Sequence, residues 1–419
     1  MIIKNSTLNG ITLLVPGIFF IPAAAILSRE LGVESFGILL LMYSVLGYSS
    51  IFDAGMTRAV IRKIAQSTSQ LNEKKIIGTS LIFILVISSL PCFLIIIFSE
   101  NFVKLLNVGQ EYLSETNQSL VIVAFAIPCF LVSSVSFSYL EGKEKFLELA
   151  IYKIISGFFL AILPALMSVT LGGLVYAAYG LLIARVISVL LALLSIKSSL
   201  GIRNLRFCKY TLKELITFGG WISLSNIVSP IMSYMDRFLL TNSIGPSFSV
   251  FYVASSDFIE KLSAIPGALA KTIFPLFSRV GTHSIFIHRI YIGLSIVLFF
   301  VITPIFIFSQ EILNVWLGPP FGDNSQEILK ILLVGFFFNS LAQIPYAAIQ
   351  SYGYAKLTAL LHLAELIPYL YIFFYFVTKF GLIGAAYAWS CRVIIDFLFL
   401  LYFSEKFNKN PAIGKLSHK

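Results

Sequence analysis

The chain has 419 residues, of which 58% are hydrophobic and only 12% are charged, with a net charge of +10. A soluble domain carries roughly 25% charged residues, and no water-soluble fold can bury so much apolar surface. The composition therefore excludes a soluble enzyme or binding module and makes lipid the solvent for most of the chain.

Apolar residues occur in runs of about 20 with few charges, which is the length of helix that crosses a hydrocarbon core roughly 30 Å thick. Solid apolar runs favour helices over barrel strands, in which apolar and polar residues alternate. We predict an all-α polytopic membrane protein of about twelve transmembrane helices. In chain order, these spans cover residues 10–28, 36–52, 76–98, 120–140, 149–171, 174–196, 215–239, 248–270, 286–308, 328–349, 357–377 and 382–403.

The first run also resembles a signal peptide, but the second apolar run follows within a few residues, which favours a retained helix. Outside the spans, lysine and arginine are concentrated in alternate loops, with an excess of roughly five to one on one side. The poor side holds only Arg29, Lys104, Lys330 and Lys379. This asymmetry predicts cytoplasmic termini and an even number of spans. Contact with anionic lipid headgroups then accounts for the net charge, so nucleic-acid binding need not be invoked.

The two halves of the chain resemble each other. The segment from Gly32 to Phe36 matches Gly245 to Phe248, and residues 173–179 match residues 381–387. Gly142 and Lys145 likewise match Gly353 and Lys356. We predict two six-helix lobes, residues 1–200 and 215–419, joined by a basic cytoplasmic linker at 201–214. Each half holds an even number of spans, so the repeats are parallel and related by a pseudo-two-fold axis, an arrangement that commonly places substrate between the halves.

Several basic residues fall inside or at the ends of the spans, where a charge costs about 2.5–3.5 kcal/mol on insertion scales. Such residues normally face an aqueous cavity or a partner, and guanidinium groups suit phosphate or diphosphate. Arg185 has no acidic residue within one turn, which favours a cavity-lining role, although a carboxylate on a neighbouring helix is an alternative. The predicted substrate cavity contains Arg58, Arg185, Arg237, Lys261 and Arg392.

Acidic residues inside the spans are candidates for coupling to H⁺ or Na⁺, since removal from water favours a neutral carboxyl group unless a cation is adjacent. Spacing of three or four residues also allows structural pairs, namely Asp257 with Lys261, Arg392 with Asp396, and His362 with Glu365. Glu365 is the preferred coupling residue, with a structural role equally open. The candidate set is Asp53, Asp236, Asp257, Glu365 and Asp396. No cysteine or histidine spacing indicates a metal site or a catalytic set, so no cofactor beyond these ions is expected.

Seven short motifs are spread along the chain, at residues 27–37, 53–58, 218–226, 236–239, 265–267, Phe274-Pro275 and 392–396. They resemble motifs of the polysaccharide-specific transport branch of the multidrug/oligosaccharidyl-lipid/polysaccharide exporter superfamily, which includes O-antigen and capsule flippases. The resemblance covers essentially the whole chain, and its middle block is fairly specific.

The resemblance implies a twelve-helix fold in two lobes, alternating access and a cationic lumen. It also implies carriage of an undecaprenyl-diphosphate-linked oligosaccharide from the cytoplasmic to the outer leaflet of a bacterial inner membrane, with a polysaccharide polymerase as a possible partner. Asp236, Arg237, Arg58 and Arg392 carry over from the motifs. Arg185 and Lys261 rest on the physical argument alone.

Three other functions fit a membrane protein of this composition less well. A drug or cation antiporter of the same superfamily shares the fold, but an excess of cavity cations disfavours a cationic substrate. A major-facilitator sugar permease lacks support because its basic loop motif after the second span is absent. A membrane glycan polymerase or acyltransferase would need a large external loop or an intramembrane catalytic histidine, and His362 has no nucleophile or metal partner in the sequence pattern. We therefore do not expect an enzyme.

Overall fold

The computed structural model describes residues 2–201, 205–267, 269–270, 284–351 and 354–409. All regular structure in these ranges is helical, so the predicted all-α class is confirmed. The Phe274-Pro275 motif and the side chains of residues 218–230 lie outside the described residues.

The described ranges contain thirteen α-helices, which are numbered here in chain order. Two 3₁₀ turns, Ser50–Asp53 and Gln110–Tyr112, precede α2 and α5. The helices are α1 (Ile2–Ser49), α2 (Met56–Ala65), α3 (Gln70–Ile97), α4 (Ser99–Leu105), α5 (Leu113–Gly142), α6 (Phe146–Leu171), α7 (Leu174–Leu200), α8 (Lys209–Ile244), α9 (Pro246–Leu262), α10 (Ser284–Ile307), α11 (Ser309–Leu317), α12 (Pro319–Ser351) and α13 (Ala355–Lys409).

Eight helical stretches within the described residues are long and apolar enough to cross a membrane. This finding confirms a polytopic membrane protein, while the count of twelve stays a prediction. Two of the eight stretches contain a glycine with non-helical backbone angles, Gly32 in α1 and Gly381 in α13. The predicted junctions between the first and second spans and between the last two spans fall at these glycines.

Backbone conformation supports the internal repeat. Gly32 has φ 72° and ψ 175°, and its predicted counterpart Gly245 has φ 80° and ψ 165°. L-residues with a Cβ atom rarely adopt this left-handed region, so both repeats require glycine at the same junction. The repeat also includes a feature that we did not predict: short helices α4 and α11 each begin at the serine of a Phe-Ser pair, Phe98-Ser99 and Phe308-Ser309, and both serines are buried.

The chain forms two compact units. The first, Val15–Val250, contains most of α1, helices α2 to α8 and the start of α9. The second combines Met1–Leu14 with Phe251–Lys419, and its described part includes the start of α1, the remainder of α9 and helices α10 to α13. The predicted lobes at 1–200 and 215–419 and the linker at 201–214 stay a prediction.

Close helix packing in the first unit depends on a small residue at position 180. A Cβ atom added to Gly180 in α7 would lie 2.5 Å from the carbonyl oxygen of Leu163 and 2.7 Å from Cα of Pro164, both in α6. Both contacts are to backbone, which cannot rotate away. Small residues at such positions let helix backbones approach closely in membranes.

We expect Gly180→Ala to destabilise the folded protein by roughly 1–3 kcal/mol, the usual cost of overpacking a core. The matched control is Gly293→Ala in α10, where an added Cβ atom meets nothing within 4 Å. The control should be neutral or stabilising by up to about 1 kcal/mol, because alanine is the better helix former. Thermal unfolding of both variants in detergent provides the comparison, and equal melting temperatures would contradict the packing role of Gly180.

Candidate functional site

The break at Gly381 folds α13 into two arms, residues 355–380 and 382–409, which carry a cluster of charged side chains. Glu365 and His362 lie on the first arm, and Arg392 and Asp396 lie on the second. His362 Nε2 lies 3.7 Å from Asp396 Oδ1, so this ion pair joins the two arms when His362 is protonated. The structure thus brings together the residues that sequence spacing had placed in separate pairs along the chain.

Aromatic rings surround this cluster. Tyr346 of α12 stacks on His362 with the ring planes 7° apart and the ring centroids 6.0 Å apart. The guanidinium carbon of Arg392 lies 5.2 Å from the centre of the Tyr369 ring, a cation–π distance. These contacts fix the positions of His362 and Arg392 on opposite arms.

Glu365 is the most unusual member of the cluster. Its side chain is buried, with 9% of the residue exposed, and neither carboxyl oxygen forms a hydrogen bond of standard geometry with a described residue, although the Asp396 carboxyl group lies within hydrogen-bonding reach. Asp396 and Arg392 are the charged groups that interact with it. Buried polar groups are normally hydrogen-bonded, so an unsatisfied carboxyl group needs a functional or structural explanation.

A cavity of about 280 Å³ opens beside Glu365. Glu365 and Arg392 supply its charged groups, and the remaining lining is mostly apolar: Leu361, Ala364, Pro368, Tyr369, Ile372, Ile395 and Phe399. The cavity is consistent with a site at which a small species, such as a proton carried by water, reaches a carboxyl group in an apolar setting.

Arg185 occupies the first compact unit, in α7. Its guanidinium carbon lies 4.7 Å from the centre of the Phe130 ring, and Tyr43 and Cys129 are also close enough to interact with its charge. Its Nε atom is buried without a hydrogen-bond partner among the described residues, and no carboxylate is among the groups that interact with its charge. The alternative that a carboxylate on a neighbouring helix neutralises Arg185 therefore finds no support in the described part of this conformation.

Asp236 and Arg237 lie in α8 and are almost completely buried. Arg237 donates a hydrogen bond to Ser44 Oγ in α1 at 3.1 Å and lies over the ring of Tyr234. The Asp236 carboxylate accepts from the backbone N–H of Arg237 at 2.8 Å. Their burial and contacts favour a structural role in packing α8 against α1, whereas their roles in a cavity and in coupling stay predictions.

The remaining predicted residues are dispersed. The Asp53 carboxylate accepts from Thr57 Oγ1 at 2.7 Å and from the Thr57 backbone N–H, so Asp53 stabilises the first turn of α2. Arg58 is exposed on α2. In α9, Asp257 is buried and Lys261 is partly exposed. The structure does not bring these residues into the α13 cluster, and their predicted roles stay untested.

Sequence reasoning missed two carboxylates that join distant segments. Glu73 of α3 is buried and forms a 2.5 Å salt bridge with Lys143, which follows α5. Glu34 accepts hydrogen bonds from Gly109 and Ser247. No local spacing could have revealed these contacts, because the partners are far apart in the chain.

Two sequence comparisons identify the family. Residues 2–280 match the family model described as "Polysaccharide biosynthesis protein". Over 404 residues, which cover 95% of this chain and 96% of the other, the chain is 39% identical to a Shigella flexneri protein named "Putative O-antigen transporter". The chain belongs to the polysaccharide biosynthesis protein family. This relative is named as a transporter, in agreement with the expectation of a transporter rather than an enzyme.

Solved structures share the fold of this family member. An inward-facing multidrug resistance MATE transporter of the MOP superfamily matches with a TM-score of 0.78 and 13% identity, covering 96% of this chain and 95% of that one. The lipid II flippase MurJ in an inward closed conformation matches with a TM-score of 0.76 and 16% identity, covering 97% and 91%. At such low identity the likeness shows the fold alone. Together with the family match and the named relative, the shared fold agrees with the resemblance drawn from the motifs.

Proposed function

We propose that the protein flips an undecaprenyl-diphosphate-linked oligosaccharide repeat unit from the cytoplasmic to the outer leaflet of the bacterial inner membrane by alternating access. The repeat unit would then be available for O-antigen, capsule or other surface polysaccharide assembly by a polymerase. The observation that carries the proposal is the 39% identity, along nearly the whole chain, to a protein named for O-antigen transport.

Arg185 adds physical support for an anionic cargo. A buried guanidinium without an ion-pair partner in the described residues is costly to keep in a membrane protein, which favours a functional reason for its presence. Guanidinium binds phosphate oxygens through two parallel hydrogen bonds, so a diphosphate linkage is a fitting ligand. Phe130 beneath the guanidinium would hold it in a fixed orientation.

For coupling, we propose that Glu365 exchanges a proton during the transport cycle. A bound Na⁺ would need several oxygen ligands, whereas the cavity beside Glu365 is mostly apolar and already contains the cationic Arg392. A proton needs only the carboxyl group itself. Asp396, His362 and Arg392 are the neighbouring charged or titratable groups that would respond to a change in the charge of Glu365.

A second candidate is export of a small cationic molecule, as in multidrug transporters that share the fold. Arg185, whose charge interacts with no carboxylate among the described residues, disfavours a cationic substrate because like charges repel in a site of low dielectric constant. Accumulation of a cationic dye in cells that lack the protein, reversed by its expression, would support this second candidate.

Deletion of the gene should leave the glycan-loaded polyprenyl lipid on the cytoplasmic leaflet and should remove most surface polysaccharide. The physical reason is that a large polar headgroup cannot cross the hydrocarbon core unaided at a useful rate. A glycosidase or lectin applied to spheroplasts reports the outer leaflet, and the same reagent applied to inverted vesicles reports the inner one. Accumulation on the outer leaflet would instead indicate a step after translocation and would overturn the proposal.

A further inference from the structure

The two glycine junctions of the repeat lie close together within the first compact unit. Gly32 ends the first helical part of α1, and Gly245 separates α8 from α9. The loop between α4 and α5 lies beside them: Asn242 donates to the carbonyl oxygen of Leu105, and a Cβ atom added to Gly245 would lie 3.1 Å from the Asn107 carbonyl oxygen. The charge distribution of the loops places this end of the unit on the extracytoplasmic side.

One carboxylate connects all three segments. Glu34 Oε2 accepts a hydrogen bond from Ser247 Oγ in the first turn of α9 at 2.6 Å, and Glu34 Oε1 accepts from the backbone N–H of Gly109 at 2.9 Å. Hydrogen bonds to a charged acceptor are stronger than those between neutral groups. The two oxygens thus hold α1, the α4–α5 loop and α9 at a single point.

Beneath Glu34, the backbones of α1 and α9 approach closely. A Cβ atom added to Gly37 would lie 2.8 Å from the Pro246 carbonyl oxygen and 2.9 Å from Cβ of Val250. Val250 is completely buried. The second half of α1 belongs to the first repeat and α9 to the second, so this contact joins the two repeats.

We infer that Glu34, Gly109 and Ser247 form a latch that keeps the extracytoplasmic ends of the two repeats together. While the latch is formed, the contact between Gly37 and Val250 stays closed. When the latch opens, Val250 becomes exposed to the extracytoplasmic solution. Glu34 acts as a positioning residue for this contact, and this role is separate from binding of any cargo.

The test uses Val250→Cys as a reporter, in a chain whose four cysteines, Cys92, Cys129, Cys208 and Cys391, are replaced by alanine. A membrane-impermeant thiol reagent is added to the outside of spheroplasts, and the labelling rate is measured. Glu34→Ala should raise the rate by about tenfold, because it removes both hydrogen bonds to the charged acceptor. Ser247→Ala, which removes one bond, should raise it by about threefold.

The double variant that combines Glu34→Ala with Ser247→Ala should be labelled at the reporter cysteine no faster than Glu34→Ala alone. Both substitutions remove the same hydrogen bond, from Ser247 to Glu34. Matched controls are Glu30→Ala, an exposed carboxylate on the same helix, and Ser243→Ala, whose hydroxyl bonds only to its own helix at Leu239. Both controls should label at the rate of the reporter chain. An unchanged rate in Glu34→Ala, fully additive effects, or equal acceleration in the controls would overturn the inference.

Misfolding is distinguished from opening by two further measurements. Each variant is compared for its amount in the membrane and for its elution from a sizing column in detergent, and the single-atom change in Ser247→Ala keeps the test available if Glu34→Ala folds poorly. The labelling assay needs no glycan lipid, so its outcome does not depend on the proposed function. Acceleration seen only with reagent on the cytoplasmic side would overturn the placement of the latch.

Discussion

Replacement of Arg185 by alanine should reduce surface polysaccharide to about one tenth of the normal amount or less while the protein stays folded and inserted. The expected size follows from the loss of a charge-assisted interaction, which is worth about 1.5–3 kcal/mol and corresponds to roughly a ten- to hundredfold change in an equilibrium or rate. Folding should tolerate the change, because the buried Nε atom of Arg185 has no hydrogen-bond partner among the described residues and no carboxylate there interacts with its charge.

Arg185→Lys separates charge from shape. Lysine keeps the positive charge but lacks the planar fork, so this variant should retain intermediate activity. Lys197→Ala, an exposed cation on the same helix, is the control and should leave surface polysaccharide unchanged. Quantitative immunoblotting of the polysaccharide, normalised to the membrane content of each variant, gives the measurement. Normal polysaccharide in Arg185→Ala would remove Arg185 from the transport pathway.

Glu365→Gln should strongly reduce transport driven by a proton gradient. The exchange of cargo between the two leaflets in the absence of a gradient should remain. Glutamine has nearly the shape of a protonated glutamate but cannot release a proton, so the cycle would lose its ion-driven step. We expect the rate of gradient-driven transport to fall by at least about tenfold, which corresponds to an increase of roughly 1.4 kcal/mol in the activation free energy of the driven cycle. Glu327→Gln, an exposed carboxylate on α12, is the matched control and should behave like the unmodified protein.

The measurement compares transport into proteoliposomes with and without an imposed pH gradient, and again with an Na⁺ gradient. Retention of the proton-driven component in Glu365→Gln would exclude Glu365 as the coupling residue. A response to Na⁺ alone in the unmodified protein would contradict proton coupling and would restore the sodium alternative that the sequence left open.

The fold was largely predictable because membrane insertion imposes strong local rules. Apolar runs of spanning length indicate helices without any knowledge of packing. The glycine junctions at Gly32 and Gly245 were also visible in the sequence, because a left-handed backbone conformation restricts the choice of residue. The positions of the helices and of these junctions can therefore be predicted from local sequence alone.

Partners across helices could not be predicted. Spacing allows His362 to pair with Glu365 three residues away, and the structure also places its Nε2 atom 3.7 Å from Asp396 Oδ1 on the other arm of α13. Spacing along one helix says which residues share a face, and it does not say which helix that face meets. The latch at Glu34 was missed for the same reason, since its partner Ser247 belongs to the other half of the chain.

Flipping by the purified protein in liposomes tests the central claim most directly. A polyprenyl-diphosphate-linked oligosaccharide is placed in both leaflets, and a glycosidase is added outside. With the protein present, we expect digestion of nearly all the glycan lipid, because inner-leaflet molecules reach the outer surface. In vesicles with Arg185→Ala, digestion should stop at the half that lies in the outer leaflet. Digestion that stops at one half with the unmodified protein, under an imposed proton gradient as well as without one, would contradict the account.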